Sequence, residues 1–381
     1  MRQYNVGERS WVKSRKCFRL PYVLAATLLA AVSFVLLQLY VFNNANPLQR
    51  AKLLRYIFHN GQVSEKANIL EMRQNVSILY SYHVPDRTYP IQPNVCPQDG
   101  KHPYLVLFIP SRPGNSRDRA AVRETWGLHA RLCNIRIVFG FGLIRSPETQ
   151  HDAYVENSVY GDLMQTGNVL DAYRNQTQLV LAFFQWGVTN CHNSRFIGKA
   201  DEDAWINIHE LVKYLQMPLA PYSITGHFID DAPVYRDPDH KWYLSEEEYP
   251  NATYPKFPLG QLYVFPTALI PEVLAAAQSV RCVWLDDVCF GGQIPELLQL
   301  LYLDIPARGN WSVVSSVNCS DPRMSDTYAS RFNCNCPGRD YVIIDQTPAE
   351  VKRKIFYDPC MSMYRQYSCP NLMAFPEITN L

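Results

Sequence analysis

Three consecutive acids, Asp201, Glu202 and Asp203, form the first group in this sequence that could do chemistry. They come directly after a predicted buried strand, and apolar residues occupy positions 204–206. Neighbouring carboxylates repel one another unless a cation or solvent relieves the repulsion, and carboxylate oxygens are preferred ligands of hard divalent cations. The position at a strand end therefore favours a cation site over a solvated acidic loop.

A second acidic pair, Asp286 and Asp287, lies within the segment V-W-L-D-D-V-C-F-G-G at positions 283–292. Apolar neighbours on both sides indicate a carboxylate at the wall of a cleft. Burial there raises the pKa of a carboxyl group towards that of a general base. The alternative interpretation is an ordinary helix N-cap, which an aspartate in front of Val288 could also provide.

Two arginines, Arg119 and Arg123, lie four residues apart and so share one face of a predicted helix. Ser116 is placed to cap this helix at its start. Cations near a helix N-terminus oppose the helix dipole, so their position favours a docked anion such as a diphosphate. A solvated basic face is the alternative.

The elements that must position these residues alternate between strand and helix. Continuous apolar runs predict buried strands at Leu105–Ile109 and Ile135–Gly140, and a third at Arg195–Ala200. Helical stretches are predicted at Asp118–Gly127 and Gln178–Trp186. This alternation predicts an α/β fold with a mostly parallel central sheet and helices on both faces, in which ligands bind beyond the carboxyl ends of the strands.

Composition excludes several classes of protein. With 36 Lys and Arg against 35 Asp and Glu, the formal charge is +1, so no global field attracts nucleic acid. A hydrophobic content of 47% supports a sizeable core and excludes wholesale disorder.

The N-terminal region predicts a membrane anchor. Residues 1–20 carry six basic side chains and one acid, and residues 21–42 are uncharged and long enough to cross a bilayer. A cleavable signal peptide is the alternative, although its apolar region is normally shorter. We therefore expect a cytoplasmic tail (1–20), a transmembrane signal anchor (21–42), a Pro-rich lumenal stem (43–103) and one large lumenal domain (104–381).

Two further features are consistent with an oxidising lumen. Of eleven cysteines only Cys17 precedes the apolar run, and the other ten fit a disulfide framework whose pairing the sequence does not define. A metal cluster around Cys334 and Cys336 is the alternative. Five N-glycosylation sequons follow the apolar run, at Asn75, Asn175, Asn251, Asn310 and Asn318.

Six segments, taken together, resemble one known family. The resemblance covers roughly residues 104–305, and the segments occur in the expected order at 117–127, 137–140, 171–177, 199–207, 254–264 and 286–292. They are similar to the β-1,3-galactosyltransferases and β-1,3-N-acetylglucosaminyltransferases of the Golgi (glycosyltransferase family 31). The resemblance implies a GT-A fold, a UDP-sugar donor, usually Mn²⁺, and transfer with inversion to a glycan acceptor on glycoprotein or glycolipid.

The resemblance also implies roles for individual residues. Asp203 would bind the metal that bridges the UDP diphosphate, Asp201 would face the nucleoside, and Glu202 would lie near the donor sugar. Asp287 takes the place of the family's presumed base. The remaining implied contacts are Arg119, Arg123 and Lys199 on the donor side, and Asp286 and Tyr263 on the acceptor side.

Departures from the family pattern leave specificity open. Glu202 occupies a position where the family usually has Asp, and Asp286 occupies one where it usually has Glu. Pro258 and Leu259 replace a Cys-Ser pair. No histidine follows His240, so a late histidine metal ligand is absent from this sequence. The donor could be UDP-galactose or UDP-N-acetylglucosamine. A catalytically silent relative that binds glycans or stabilises a partner is the alternative, whereas hydrolase motifs such as G-x-S-x-G and H-E-x-x-H are missing.

Overall fold

The apolar runs of the sequence form the centre of a seven-stranded sheet in the computed structural model of the chain. The structure describes residues 42–43, 45–58, 88–96, 102–305, 308–310, 343–345, 347–357 and 369. Residues 1–41, which include nearly all of the predicted membrane anchor, lie outside these ranges, as do Asn75 and Asn318. Within the described ranges, none of the helices combines the length and apolarity that a membrane crossing requires.

The main sheet has the strand order β3-β2-β1-β4-β7-β6-β8. All neighbouring strands pair in parallel except at β7, which is antiparallel to both β4 and β6. The prediction of a mostly parallel sheet is therefore confirmed. The strands are β1 (Leu105–Pro110), β2 (Ile135–Leu143), β3 (Leu163–Leu170), β4 (Phe196–Ala200), β6 (Ser223–Ile229), β7 (Phe257–Pro266) and β8 (Leu301–Asp304).

A smaller three-stranded sheet lies beside the acidic triplet. It pairs β5 (Trp205–Ile206) with β10 (Ile343–Asp345), and β10 with β9 (Arg308–Asn310). Because β5 begins two residues after Asp203, this sheet attaches the C-terminal part of the chain to the end of β4.

Helices pack on both faces of the main sheet, as predicted. They are α1 (Pro47–Phe58), α2 (Ser116–Glu124), α3 (Trp126–Leu132), α4 (Pro147–Tyr160), α5 (Gln176–Asn190), α6 (Ile208–Leu215), α7 (Ile270–Ala277), α8 (Asp286–Val288), α9 (Ile294–Leu298) and α10 (Ala349–Tyr357), with a π-helical turn at Cys289–Gln293 between α8 and α9.

The alternation of side chains along β1 divides the core into two layers. Leu107 belongs to one buried cluster with Trp126 of α3, and Phe108 belongs to the other with Phe183 of α5. The rings of Phe108 and Phe183 stack with their centroids 4.4 Å apart. A strand buried on both faces explains why β1 reads as a continuous apolar run.

Two local expectations differ from the structure. Ser116 is the first residue of α2 and not its cap. The N-cap residue, Asn115, makes no side-chain capping bond, and its Nδ2 donates to Glu202. Residues 88–96 of the predicted stem pack on the domain: Ile91 is buried and bridges to Gln165 of β3, and Cys96 is disulfide-bonded to Cys191. Part of the expected spacer is thus integral to the folded unit.

Candidate active site

The acidic triplet follows β4 directly, at the carboxyl edge of the sheet, and its three side chains have different surroundings. Asp201 accepts a hydrogen bond from Lys199 Nζ at 2.6 Å. Glu202 accepts bonds from Ser111 Oγ at 2.5 Å and Asn115 Nδ2 at 2.7 Å. Asp203 is exposed. Among the described residues, the triplet therefore offers one carboxylate that faces solvent freely.

Asp203 is fixed through its backbone. Its carbonyl oxygen accepts hydrogen bonds from the backbone N–H of Thr347 at 2.7 Å and from Thr347 Oγ1 at 2.8 Å. Thr347 lies two residues before the start of α10, whose buried Lys352 donates to the Thr347 carbonyl. A segment more than 140 positions downstream thus holds the backbone of the triplet.

Lys199 is the centre of a buried charge cluster. Its ammonium group donates to Asp201 and to the carbonyl of Gly260 at 2.8 Å, and it lies 3.5 Å from Asp286 Oδ2. Burial alone would lower the pKa of Lys199, but the carboxylates of Asp201 and Asp286 outweigh it and raise that pKa above its ordinary value. Lys199 therefore remains charged.

Asp286 and Tyr263 form the floor of this cluster. Both are buried, and Tyr263 Oη donates to Asp286 Oδ2 at 2.8 Å. The sequence-based prediction that they lie on the acceptor side remains untested. In this structure, however, each is enclosed and bonded to the other, which suits a positioning role.

Asp287 is the half-buried neighbour of Asp286. Its Oδ1 accepts from the adjacent Val288 N–H at 2.9 Å, and the start of α8 carries no side-chain cap, so the helix-cap alternative finds no support. Burial, followed by the charge of Asp286, raises the pKa of Asp287 to about 7. A carboxyl group with this pKa can accept a proton near neutral pH.

Gly260 marks the point where the side chains converge. A Cβ atom added there would lie 3.2 Å from Asp287 Oδ2, 3.3 Å from Lys199 Nζ and 3.6 Å from Asp201 Oδ2. Burial raises the pKa of Asp201 to about 6 although Lys199 opposes the shift, and the Asp201 side chain is still 32% exposed. The cluster is therefore open to solvent on the Asp201 side.

The Asp286-Asp287 pair is held within a closed loop. Cys282 and Cys289, seven positions apart, form a disulfide that spans both aspartates. Just outside the loop, Gln293 accepts from the Val283 N–H and donates to the Arg281 carbonyl, each at 3.1 Å. Cys96–Cys191 and Cys133–Cys369 are also bonded, so three disulfides involve described cysteines, whereas Cys334 and Cys336 lie outside the described ranges.

The two arginines form a separate network. Arg119 is buried and binds Glu156 of α4 through Nε at 2.8 Å and Nη2 at 2.6 Å. It also donates to Ser111 Oγ and to the carbonyls of Arg112 and Pro113. The guanidinium group thus has protein acceptors for all five of its N–H bonds.

Arg123 bonds to Asp162 through Nε at 2.8 Å and Nη2 at 2.7 Å, and it lies 2.7 Å from Glu156. The predicted donor contacts of Arg119 and Arg123 remain untested. Ser111, which accepts from Arg119 and donates to Glu202, links this network to the acidic triplet.

A metal site can be assessed from the available ligands. No cluster of three or more His, Cys, Asp or Glu suited to a metal occurs in the described part of the chain. Divalent cations are nevertheless often bound through one or two carboxylates together with substrate phosphates. Exposed Asp203 fits a cation shared with a donor diphosphate.

Several partners in the site were not identified from the sequence. Glu156, Asp162 and Thr347 show no distinguishing pattern, because each acts through a contact with a residue far away in the chain. Lys199 carried a sequence signal, as a lone cation inside a predicted buried strand, which is costly without a nearby carboxylate.

Comparison with known proteins tests the family resemblance that the sequence motifs indicate. Residues 117–304 match the galactosyltransferase family model. This match and the curated relatives below confirm the resemblance to the β-1,3-galactosyltransferase and β-1,3-N-acetylglucosaminyltransferase family.

Curated relatives match about half of the chain. It is 32% identical over 199 residues to the lactosylceramide 1,3-N-acetyl-β-D-glucosaminyltransferase of Xenopus tropicalis, which covers 49% of this chain and 52% of that protein. It is 31% identical over 207 residues to β-1,3-galactosyltransferase 2 of Mus musculus, covering 52% and 48%. The UDP-GalNAc:β-1,3-N-acetylgalactosaminyltransferase 1 of Mus musculus is 31% identical over 211 residues, covering 54% and 62%. The chain thus spans about half the length of these relatives.

Solved glycosyltransferase structures are more distant. The WbbM bifunctional glycosyltransferase aligns with a TM-score of 0.39 at 12% identity, covering 71% of this chain and 52% of that one. The galactosyltransferase LgtC aligns with a TM-score of 0.36 at 8% identity, covering 66% and 94%. Likeness at this level carries no argument about the site.

Proposed function

We propose that this chain is an inverting glycosyltransferase that moves galactose or N-acetylglucosamine from a UDP-sugar to a glycan acceptor in β-1,3 linkage. The observation that carries the proposal is the convergence of Asp201, Lys199 and Asp287 on Gly260. This cluster lies at the carboxyl end of β4, within the residues that match the family.

Asp287 acts as the general base. Its carboxylate takes the proton from the acceptor's 3-hydroxyl while that oxygen attacks the anomeric carbon of the donor. The new C–O bond forms as the bond to the UDP phosphate breaks on the opposite side, so one displacement inverts the anomeric centre. A pKa of about 7 allows Asp287 to be ionised before the reaction and still be an effective base.

The residues around Asp287 position it and set its basicity. Asp286, held by Tyr263 and Lys199, places a second negative charge beside Asp287 and so strengthens it as a base. The positive charge of Lys199 offsets part of the negative charge of the surrounding carboxylates. Arg119 orders the backbone at 111–113, and through Ser111 it orients Glu202.

A divalent cation, proposed here to be Mn²⁺, would be held by Asp203 and would stabilise the negative charge of the departing diphosphate when bound. The donor itself would be recognised by Asp201 and Glu202, which line the same strand end.

The test is UDP release and sugar transfer by the full-length protein. A panel of UDP-galactose, UDP-N-acetylglucosamine and UDP-N-acetylgalactosamine covers the donors in the relatives' names. We expect one donor to support transfer with Mn²⁺, and Asp203→Ala to abolish transfer and weaken Mn²⁺-dependent UDP binding. Asp152→Ala, on the exposed side of α4, is the matched control. A folded protein that neither binds nor hydrolyses any UDP-sugar would instead support the silent-relative alternative.

We further propose a single-pass type II Golgi protein with its domain in the lumen, anchored by residues 21–42 after a cytoplasmic tail of 1–20. Residues 43–103 connect the anchor to the domain, and residues 88–96 of this segment pack on the domain. Of the predicted sequons, Asn251 is exposed, whereas Asn175 Nδ2 already donates to the Leu170 carbonyl at 2.9 Å. Glycosidase treatment of protein from secretory cells should lower its apparent mass, and Asn251→Gln should remove part of that change. An unglycosylated, cytosolic C-terminal domain would refute this topology.

A further inference from the structure

An open cavity of about 570 Å³ lies outside the charge cluster and has no role in the chemistry above. Residues from the β6–β7 connection, from α9 and from β8 line it: Asp230, Asp231, Tyr249, Asn251, Thr253, Tyr254, Pro255, Lys256, Glu296 and Tyr302. The volume is typical of a site for a small molecule or for part of a larger ligand.

The cavity lies on the same edge of the sheet as Asp287. Strand β6 runs parallel to the strands beside β4 and ends just before Asp230, and β7 begins just after Lys256. Along β7, Gly260 lies beside Asp287 and Lys256 is four residues earlier, a distance of roughly 13 Å in extended chain. A short oligosaccharide can span this distance, whereas a single sugar cannot.

Tyr254 connects the cavity wall to the segment that carries Asp287. It is 4% exposed, packs in a cluster with Val283 and Val288, and stacks edge-on against Phe257. Its hydroxyl is buried and has no hydrogen-bond partner in the described part of the chain. A buried hydroxyl without a partner is costly, which indicates that a water supplies one at the cavity wall.

The cavity wall is built to keep its shape. Arg236 donates to the carbonyls of Leu244, Tyr249 and Asn251, at 2.7 to 2.8 Å. The backbones of Val234 and Ala252, and of Tyr254 and Ala232, pair at 2.9 Å. A cross-linked loop of this kind preorganises a binding site.

The charges that line the cavity indicate the chemistry of its ligand. Three carboxylates, from Asp230, Asp231 and Glu296, face a single ammonium group, that of Lys256, which lies over the ring of Tyr302 at 5.7 Å. Carboxylates accept hydrogen bonds from sugar hydroxyls, and a tyrosine ring packs against the C–H face of a pyranose. The net negative charge opposes a ligand that is itself acidic.

Building on the proposed function, we propose that this cavity binds an uncharged sugar of the acceptor glycan, beyond the sugar that receives the transferred unit. The enzyme therefore prefers neutral oligosaccharide acceptors to monosaccharides. It also rejects oligosaccharides with a uronic or sialic acid at that position.

The experiment uses the full-length protein with the donor that supports transfer. Three acceptors are compared: a monosaccharide, a neutral trisaccharide, and the same trisaccharide with a hexuronic acid in place of one inner hexose. We expect kcat/KM to be at least about tenfold higher for the neutral than for the acidic trisaccharide, because the acidic one has the higher KM. This preference should shrink towards equality at high salt.

The matched variants remove charge without changing shape. In the double variant Asp230→Asn with Asp231→Asn, we expect the neutral-to-acidic ratio to fall towards one. Asparagine suits the positive φ of 52° at Asp231, so the loop should keep its conformation. Tyr254→Phe should lower the trisaccharide-to-monosaccharide ratio. Asp239→Asn, on an exposed part of the same loop, should leave both ratios unchanged.

The outcomes separate the two proposals. A wild type that treats neutral and acidic trisaccharides alike, or ratios that the paired Asn substitutions leave unchanged, would overturn the acceptor site while leaving the transferase activity intact. The acceptor site would also be overturned if only Asn251→Gln, and not the wild type, distinguished neutral from acidic trisaccharides. In that case the glycan attached at Asn251 would occupy the cavity in the wild type. Absence of any UDP release would refute the proposed function itself.

Discussion

Two buried charge clusters lie at the same edge of this molecule and behave in opposite ways. In the arginine cluster, Arg119 and Arg123 face Glu156 and Asp162, so positive and negative charges are equal in number. In the lysine cluster, one ammonium group faces the carboxylates of Asp201, Asp286 and Asp287.

The pKa values reflect this difference in charge balance. Burial raises the pKa of Glu156, but its bonds to Arg119 and Arg123 outweigh burial and hold that pKa below its ordinary value. In the lysine cluster, burial dominates, and the pKa values of Asp201 and Asp287 rise to about 6 and about 7. A balanced cluster stabilises the fold, whereas an unbalanced one holds a proton acceptor ready for chemistry.

The two clusters also contribute to stability in opposite directions as pH changes. Ionised Glu156 favours the fold above the ordinary pKa of a glutamate, and this contribution is lost as the pH falls through its lowered value. Protonated Asp287 favours the fold below about pH 4, and this contribution is lost as the pH rises through about 7. The lysine cluster therefore reduces the stability of the fold under the conditions in which it can act as a base.

Breaking the balanced cluster should have the largest effect. Arg119→Met leaves Glu156 buried without its main partner, which should cost about 3–5 kcal/mol of unfolding free energy in urea titrations. Arg117→Met removes an exposed ion pair with Glu350 and should change the unfolding free energy far less than Arg119→Met does. If Arg119→Met and Arg117→Met were equally stable and only Arg119→Met lost donor affinity, Arg119 would bind the donor and would not stabilise the fold.

Removing the proton acceptor of the unbalanced cluster should reduce the rate and spare binding. Asp287→Asn should lower kcat by at least about 100-fold, equivalent to about 2.7 kcal/mol in the barrier, with UDP affinity nearly unchanged. Steady-state kinetics and calorimetric UDP titration measure the two quantities.

The folding control for Asp287→Asn is its stability at pH 8. The amide cannot ionise, so the variant should be at least as stable as the wild type there, and the difference should shrink as the pH falls to 4. If a stable Asp287→Asn turned over normally while Asp286→Asn were inactive, the base would be Asp286.

A smaller effect should come from changing the neighbour of the base. The negative charge of Asp286 contributes to the raised pKa of Asp287, so Asp286→Asn should lower that pKa. The acid limb of the kcat/KM profile should lie near pH 7 in the wild type and move to lower pH in the variant. Glu156→Gln, in the balanced cluster, should leave the limb where it is. An unmoved limb in Asp286→Asn would show that Asp287 does not control it.

The smallest effect should come from the C-terminal contact with the triplet. Thr347→Val removes one hydroxyl bond to the Asp203 carbonyl and keeps the backbone bond, a loss of about 1 kcal/mol. If the contact positions the donor site, losing about 1 kcal/mol of that positioning should raise the donor KM about fivefold. Thr189→Val, which removes a comparable bond at an exposed position of helix α5, should leave that KM unchanged.

The sequence predicted those parts of the fold in which one local pattern determines the outcome. Strand β1 is a continuous apolar run, and β2 and β4 are apolar apart from Arg136 and Lys199, because their faces are largely buried; all three were found. Strand β3 was missed, because Gln165, Thr166 and Asn168 interrupt its apolar pattern. The reversed direction of β7 depends on the path of a long connection, which carries no periodic signal.

The candidate site shows the same limit. Spacing placed Arg119 and Arg123 on one face of a helix, but it did not show that α4 would supply Glu156 to that face. A strand end predicted where Asp201 would lie, and apolar neighbours predicted a cleft wall for Asp287, whereas their convergence on Gly260 depends on three separate elements meeting in space. Contacts between distant segments are determined by packing, and a single sequence does not record them.

The disulfide between Cys282 and Cys289 has a consequence for where the chain can work. Because the bridge encloses both aspartates, the geometry of the proposed base depends on the thiol chemistry of the compartment as well as on packing. A copy retained among reducing thiols would keep every side chain of the cluster but lose the closed ring that holds two of them. Formation of this disulfide would then be a condition for the ordered geometry of the proposed base.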